Sequence, residues 1–228
     1  MSAGRERILA GIAAALKRAR PSPALAAELD ARLRAPTPNP MPARGRLPLP
    51  ARIDLFVEMA REAAATVQRV GRDEDAPAAI ADYLRAENLP PELRLAPDPW
   101  LLRLAWGERP LLSISSGRAE GEEPVGITAA FAGIAETGTL MLKSGPRSPT
   151  TLAFLPETHI VLLRGAQVVG TYEEAWARLR AESDGRLPRT VNLITGPSRS
   201  ADIEQTLLMG AHGPRRLHIV LIDGDAAA

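Results

Sequence analysis

TAAFAGIAETGTLMLKSG, residues Thr128 to Gly145, organises the chain. Apolar residues build strand on both sides of a polar pentapeptide, Ala135-Glu136-Thr137-Gly138-Thr139, whose glycine suits a tight turn. This pattern delivers Glu136 to the rim of a core. A second stretch, ITGPSRSADIEQTLLMGAHGP from Ile194 to Pro214, has a complementary form. It reads as an apolar strand, a Gly-Pro-Ser turn, and a helix over Ser200 to Gly210 with a polar first turn. The two turns are expected to face one cleft.

Outward from these stretches, strands and helices alternate. His159 to Leu163 is strand by its β-branched and leucine content. Thr171-Tyr172-Glu173-Glu174 is a capping box, in which the Thr oxygen and the Glu carboxylate take up the unpaired N–H groups of a helix start. Strands follow at Val191 to Ile194 and Leu217 to Ile222. Upstream, Ile53, Phe56, Val57, Ala60 and Ala64 mark an amphipathic helix, and Thr66 to Val70 a strand. A helix over Asp75 to Ala86, short strands at Leu93 to Leu95 and Leu111 to Ser115, and a helical turn near Trp100 complete the series. Such alternation predicts an α/β fold, a mostly parallel sheet flanked by helices.

The first 50 residues read differently. Ile8, Ile12, Ala15 and Leu16 form one apolar stripe on a basic helix from Arg5 to Arg20, and Pro21 and Pro23 end it. A short helix over Leu25 to Leu33 leads into a run holding Pro36, Pro38, Pro40, Pro42, Pro48 and Pro50, which favours extended chain. Residues 1–50 are therefore expected to be a helical arm with a proline-rich linker, and 51–228 the α/β domain. The arm either packs on its own domain or docks on another subunit.

Composition excludes several classes. Net charge is +1, so no long-range field recommends nucleic acid or an anionic membrane. The chain has no cysteine, which removes disulfides, thiolate nucleophiles and cysteine-ligated iron–sulfur clusters from it. Ile8 to Leu16 has the length of a secretory signal core, but Glu6 precedes it and Lys17-Arg18-Ala19-Arg20 follows where small residues are needed. With no apolar run of membrane-spanning length, the expected location is the cytoplasm.

The two motifs carry a family resemblance. Ala135-Glu136-Thr137-Gly138-Thr139, then Pro156 and His159, then Thr195-Gly196-Pro197-Ser198-Arg199 with Ala201-Asp202-Ile203-Glu204, and finally Gly210 and His212-Gly213-Pro214, resemble the LUD domain. Within it the chain looks most like the lactate utilization protein C family, over roughly residues 51–223. The resemblance implies the fold of ribose-5-phosphate isomerases, glucosamine-6-phosphate deaminases and CoA transferases. It also implies an accessory role in oxidation of L-lactate to pyruvate alongside iron–sulfur partner proteins. This chain would itself carry no cofactor, the clusters residing on those partners, and a homo-oligomer is compatible with the pattern.

Candidate chemistry follows the same residues. Ligands of parallel α/β sheets normally sit outside the carboxyl ends of the strands, where both turns are expected. Thr137, Gly138 and Thr139, with Thr195, Gly196, Ser198, Arg199, Asp202 and His212, are the candidate binders of a small carboxylate or phosphate. A helix start at Ser200 would favour such an anion. Glu136 is open to three roles: nucleophile or general base, ligand binder, or a stiffener of its own turn. The three histidines lack metal-ligand spacing, so no metal site is expected, and His159 and His218 are read as structural. Two other functions remain open, a stand-alone enzyme on a sugar phosphate or acyl-CoA using Glu136, and a purely structural or regulatory subunit.

Overall fold

The structure, a computed structural model, describes residues 3–17, 21–183, 186–201, 207–210 and 212–224. The chain divides into two units, Met1–Asn39 and Pro40–Ala228. In the first, α1 (Ala3–Ala15) and α2 (Pro23–Arg34) bury no residue, and the Ser22 hydroxyl caps α2 by accepting from Leu25 N at 3.2 Å. Within the second unit the later prolines are structured. Gly45 packs against Gly170, and Pro48 and Pro50 open α3 (Leu49–Glu62), where a missing N–H costs nothing.

The second unit continues through β1 (Thr66–Val70), α4 (Ala76–Ala86), β2 (Glu92–Leu95), α5 (Pro99–Leu102), β3 (Ser113–Ser116) and β4 (Val125–Ala129). Then come β5 (Ala132–Ile134), β6 (Thr139–Lys143), β7 (Thr158–Arg164), β8 (Val168–Val169), α6 (Tyr172–Glu182) and β9 (Val191–Ile194). The last strands are β10 (Arg199–Ala201), β11 (Leu207–Met209) and β12 (Arg216–Ile222). Six strands form one sheet in the order β1-β12-β7-β4-β2-β3, with every neighbour parallel. A second sheet, β8-β5-β6-β9, is mixed.

Residue alternation builds the layers. Ile160 and Leu162 of β7, with Val220 and Ile222 of β12, face Ile80, Tyr83 and Leu84 of α4. Val161 and Leu163, with Ile219 and Leu221, face Phe56 and Ala60 of α3 and the inner side of the small sheet. The outer side of that sheet, Ala132, Ile134 and Met141, is covered by Ala175 and Leu179 of α6. The central strands are thus buried on both faces, which is why their sequences read as unbroken apolar runs.

One expected element differs. Ser200 to Gly210 was expected to be a helix, but its described residues form a hairpin, Arg199–Ala201 pairing antiparallel with Leu207–Met209. The ends of the segment are tied together: Gly210 N donates to Ser198 O at 3.0 Å, and Ser198 N to Pro214 O at 2.9 Å. That non-local closure overrides the local helical pattern.

Candidate functional site

The Ala135–Gly138 turn joins β5 to β6. Gly138 has φ +64°, and a Cβ there would stand 2.2 Å from Ala60 N, so glycine lets the turn lie directly on α3. Gly196 does the same from the second motif: at φ +72°, a Cβ would stand 2.0 Å from Ala63 O. The Arg199 guanidinium also donates to Ala63 O. Both motifs therefore clasp the C-terminal end of α3, which Ala64 at φ +65° already turns out of the helix.

Glu136 is 6% exposed, and its Oε1 accepts from Tyr172 N at 2.9 Å, while its own N–H donates to Gly170 O at 3.1 Å. The carboxylate sits at the first residue of α6, where the exposed N–H groups and the helix dipole favour negative charge. The Thr171 cap completes this helix start, with the Glu174 carboxylate reaching one residue further back than the expected box partner. Thr171 Oγ1 accepts from Glu174 N at 3.3 Å, and Glu174 Oε2 accepts from Gly170 N at 2.7 Å.

Next to Glu136 four hydroxyls meet. Tyr172 OH lies 3.1 Å from Thr137 Oγ1 and 2.8 Å from Thr139 Oγ1, and Thr139 Oγ1 lies 2.6 Å from Thr195 Oγ1. The structure thus brings Thr137, Thr139 and Thr195 together, in direct contact through hydrogen bonds rather than across an open cleft. Tyr172 is the member that sequence reasoning used only as part of a capping box.

Ser198 and His212 lie elsewhere. Gly213 packs beside the Ser198 side chain and Phe154, and exposed His212 lines a hollow with Phe154, Glu157 and Arg215. These residues adjoin the amino ends of β7 and β12, since Arg215 N donates to Glu157 O at 2.8 Å. The second motif is therefore at the opposite end of the parallel strands from the place expected for a ligand. No helix begins at Ser200 to hold an anion. Asp202 lies outside the described residues.

The carboxyl ends of the strands carry a different constellation. Asp98 and Trp100 follow β2, Ala130 and Phe131 follow β4, and Arg164 ends β7 around a cleft of about 330 Å³. Lys143 and Arg147, at and beyond the end of β6, and Arg178 of α6 complete the wall. Lys143 Nζ lies 4.7 Å from the Phe131 ring centre, and the Arg178 guanidinium 5.5 Å from it. The Arg164 guanidinium stacks 4.1 Å from Trp100. Ring faces of this kind hold cations in place without neutralising them. Lys143 is paired with Glu182 and Arg164 with Asp73, whereas among the described residues neither Arg147 nor Arg178 has an ion-pair partner. Two uncompensated guanidiniums beside an apolar floor suit a small anion.

Two further polar groups sit inside the sheet. His159 Nε2 is 2.8 Å from Thr128 Oγ1, and burial pushes its pKa down to about 3. His218 stacks on Tyr83 at 3.8 Å with Nδ1 2.8 Å from Thr66 Oγ1, and burial lowers it to about 4. Both are neutral core residues. Among the described residues no group of three His, Asp or Glu side chains is placed to hold a metal ion. No helix among them is long and apolar enough to cross a membrane.

The layers and the two clasping motifs define an α/β protein in which a parallel sheet carries a small second sheet on one face. The LUD domain family model matches residues 118–222, which include both motifs. An uncharacterized protein of Neisseria meningitidis serogroup B is 43% identical over 97 residues, 42% of this chain and 41% of that protein. Lactate utilization protein C of Geobacillus sp. strain WCH70 is 38% identical over 100 residues, 43% of this chain and 42% of that protein. Its namesake in Geobacillus kaustophilus is 35% identical over 115 residues, 50% of this chain and 48% of that protein. The chain thus spans less than half the length of these curated relatives in each match. A DUF162 family protein from Deinococcus radiodurans has the same fold, with a TM-score of 0.55 at 23% identity, covering 78% of this chain and 99% of that one.

Proposed function

We propose that this protein is an accessory component of bacterial L-lactate utilization that holds a small carboxylate in the cleft at the carboxyl ends of the parallel strands. The relatives named lactate utilization protein C support the process. The observation that carries the site is the pair of guanidiniums, Arg147 and Arg178, without ion-pair partners among the described residues and lining one cleft with Phe131 at the end of the sheet where α/β proteins bind ligands. Converting L-lactate to pyruvate removes two electrons and two protons. A chain without cysteine cannot hold cysteine-ligated clusters to accept those electrons, so iron–sulfur partner proteins would supply that step. Here the chain's task is to bind and present the carboxylate, Arg147 and Arg178 pairing with its oxygens.

Glu136 serves this reading as structure. Its Oε1 is engaged by Tyr172 N, and its turn lies several residues along β5 from Phe131, roughly 10 Å or more at strand rise. The test is growth on L-lactate as sole carbon source. A deletion strain is expected to grow on pyruvate but not on L-lactate, with rescue by the wild-type chain and none by Arg147→Ala/Arg178→Ala. Full rescue by the double variant would remove the cleft from the function, and undiminished growth of the deletion strain would remove the process.

A further inference from the structure

The six-strand sheet has two outer edges, and they differ. At β1 the Arg61 guanidinium donates to Val67 O at 3.2 Å, so a charged side chain occupies an outward carbonyl. At β3 the pattern is different. Ser113 N donates to Pro91 O at 2.9 Å and Gly117 N to Leu95 O at 3.0 Å, so odd-numbered residues turn their amides toward β2. By strand alternation Ile114 and Ser116 turn both N–H and C=O outward. Ser113–Ser116 holds no charge and no proline, two of the devices that blunt an edge, and Leu111 just before it is 87% exposed.

We infer that β3 is the pairing edge for a second copy of this chain, antiparallel about a twofold axis through Ser115. With Ser115 opposite its counterpart, Ile114 of each copy faces Ser116 of the other. Each such pair exchanges two N–H···O=C bonds, and the Ser115 pair becomes a close, non-hydrogen-bonded one at about 4.5 Å between Cα atoms. This register satisfies every outward amide of Ile114 and Ser116 on both copies, and moving the axis leaves some unpaired. The axis residue is small and uncharged, so self-pairing brings no like charges together. A self-complementary edge of this kind makes an isologous contact that closes at two copies. A four-residue ladder is small beside a standard interface, so association depends on concentration.

Because the chain has no cysteine, Ser115→Cys would carry its sole thiol. Mild oxidation of the full chain is expected to give an intermolecular disulfide at least tenfold faster than in Ser113→Cys, whose counterpart thiols would be roughly 13 Å apart along the strands. Ser116→Pro fits an outward-facing edge position and should keep the fold, seen as an unchanged far-ultraviolet spectrum, while removing two of the bonds. Sedimentation is expected to show a monomer–dimer equilibrium for the wild type and monomer for Ser116→Pro. A wild type monomeric at all soluble concentrations, equal cross-linking at positions 113 and 115, or a dimer that survives Ser116→Pro would overturn the inference.

Discussion

Lowering the pH from 7.5 to 5 should cost this protein a substantial share of its stability through two side chains. His159 and His218 are 1% and 3% exposed, and burial holds their folded pKa values near 3 and 4 against an ordinary 6.5. A depressed folded pKa means that only the unfolded chain takes up the protons in this window. The stability is fully present above about pH 6.5 and is lost as pH falls toward the folded values. At pH 5 each unfolded imidazole gains about 2 kcal/mol from protonation, so the pair removes about 4 kcal/mol, against a typical total of roughly 5–15. Glu123 acts lower. Burial raises its pKa, but the N–H groups of Gly121, Glu123 and Glu120, with Arg94, outweigh burial and hold it at about 2, so its contribution fades between about pH 4.5 and 2. Urea unfolding followed by fluorescence of Trp100, Trp106 and Trp176 at fixed ionic strength reads the loss directly. His218→Phe keeps a ring against Tyr83 and should roughly halve it. A change under about 1 kcal/mol between pH 7.5 and 5 in the wild type would refute the burial argument.

Three substitutions test the clasp around α3 and α6. Gly138→Ala should destabilise by about 2–5 kcal/mol in the same urea assay, because it adds a left-handed penalty to a backbone collision with Ala60. Glu136→Gln should cost only about 1 kcal/mol, since the amide oxygen still accepts from Tyr172 N and only the charge at the start of α6 is lost. Tyr172→Phe removes the hydroxyl shared by Thr137 and Thr139, and about 1 kcal/mol of stability should go with it, while the Thr139–Thr195 contact keeps the motifs joined.

Much of this architecture is legible in the sequence because its signals are local. The apolar runs of β7 and β12, the stripe of α3 and the Thr171–Glu174 box each announce an element within a few residues. The hairpin of β10 and β11 is not legible, because it depends on Ser198 meeting both Gly210 and Pro214. The motif residues stand out for a similar reason with a different meaning. Gly138 and Gly196 are demanded by the approach of α3, a constraint that looks like a ligand loop until the helix is in place. The strand-end cleft is the harder case. Lys143 is one of only two lysines and directly precedes a Ser-Gly-Pro-Arg loop, which is a visible cue. Nothing local shows that Arg178, a turn before the end of α6, comes back to the same Phe131 ring.

The most direct measurement is calorimetric titration of L-lactate and pyruvate into the wild-type chain, Arg147→Ala/Arg178→Ala and Glu136→Gln, side by side. Binding is expected for the wild type and for Glu136→Gln with affinities within about twofold, and weakening of at least tenfold, about 1.4 kcal/mol, for the arginine pair. Binding that survives loss of both arginines and disappears with Glu136→Gln would place the ligand at the Ala135–Gly138 turn and contradict the strand-end site.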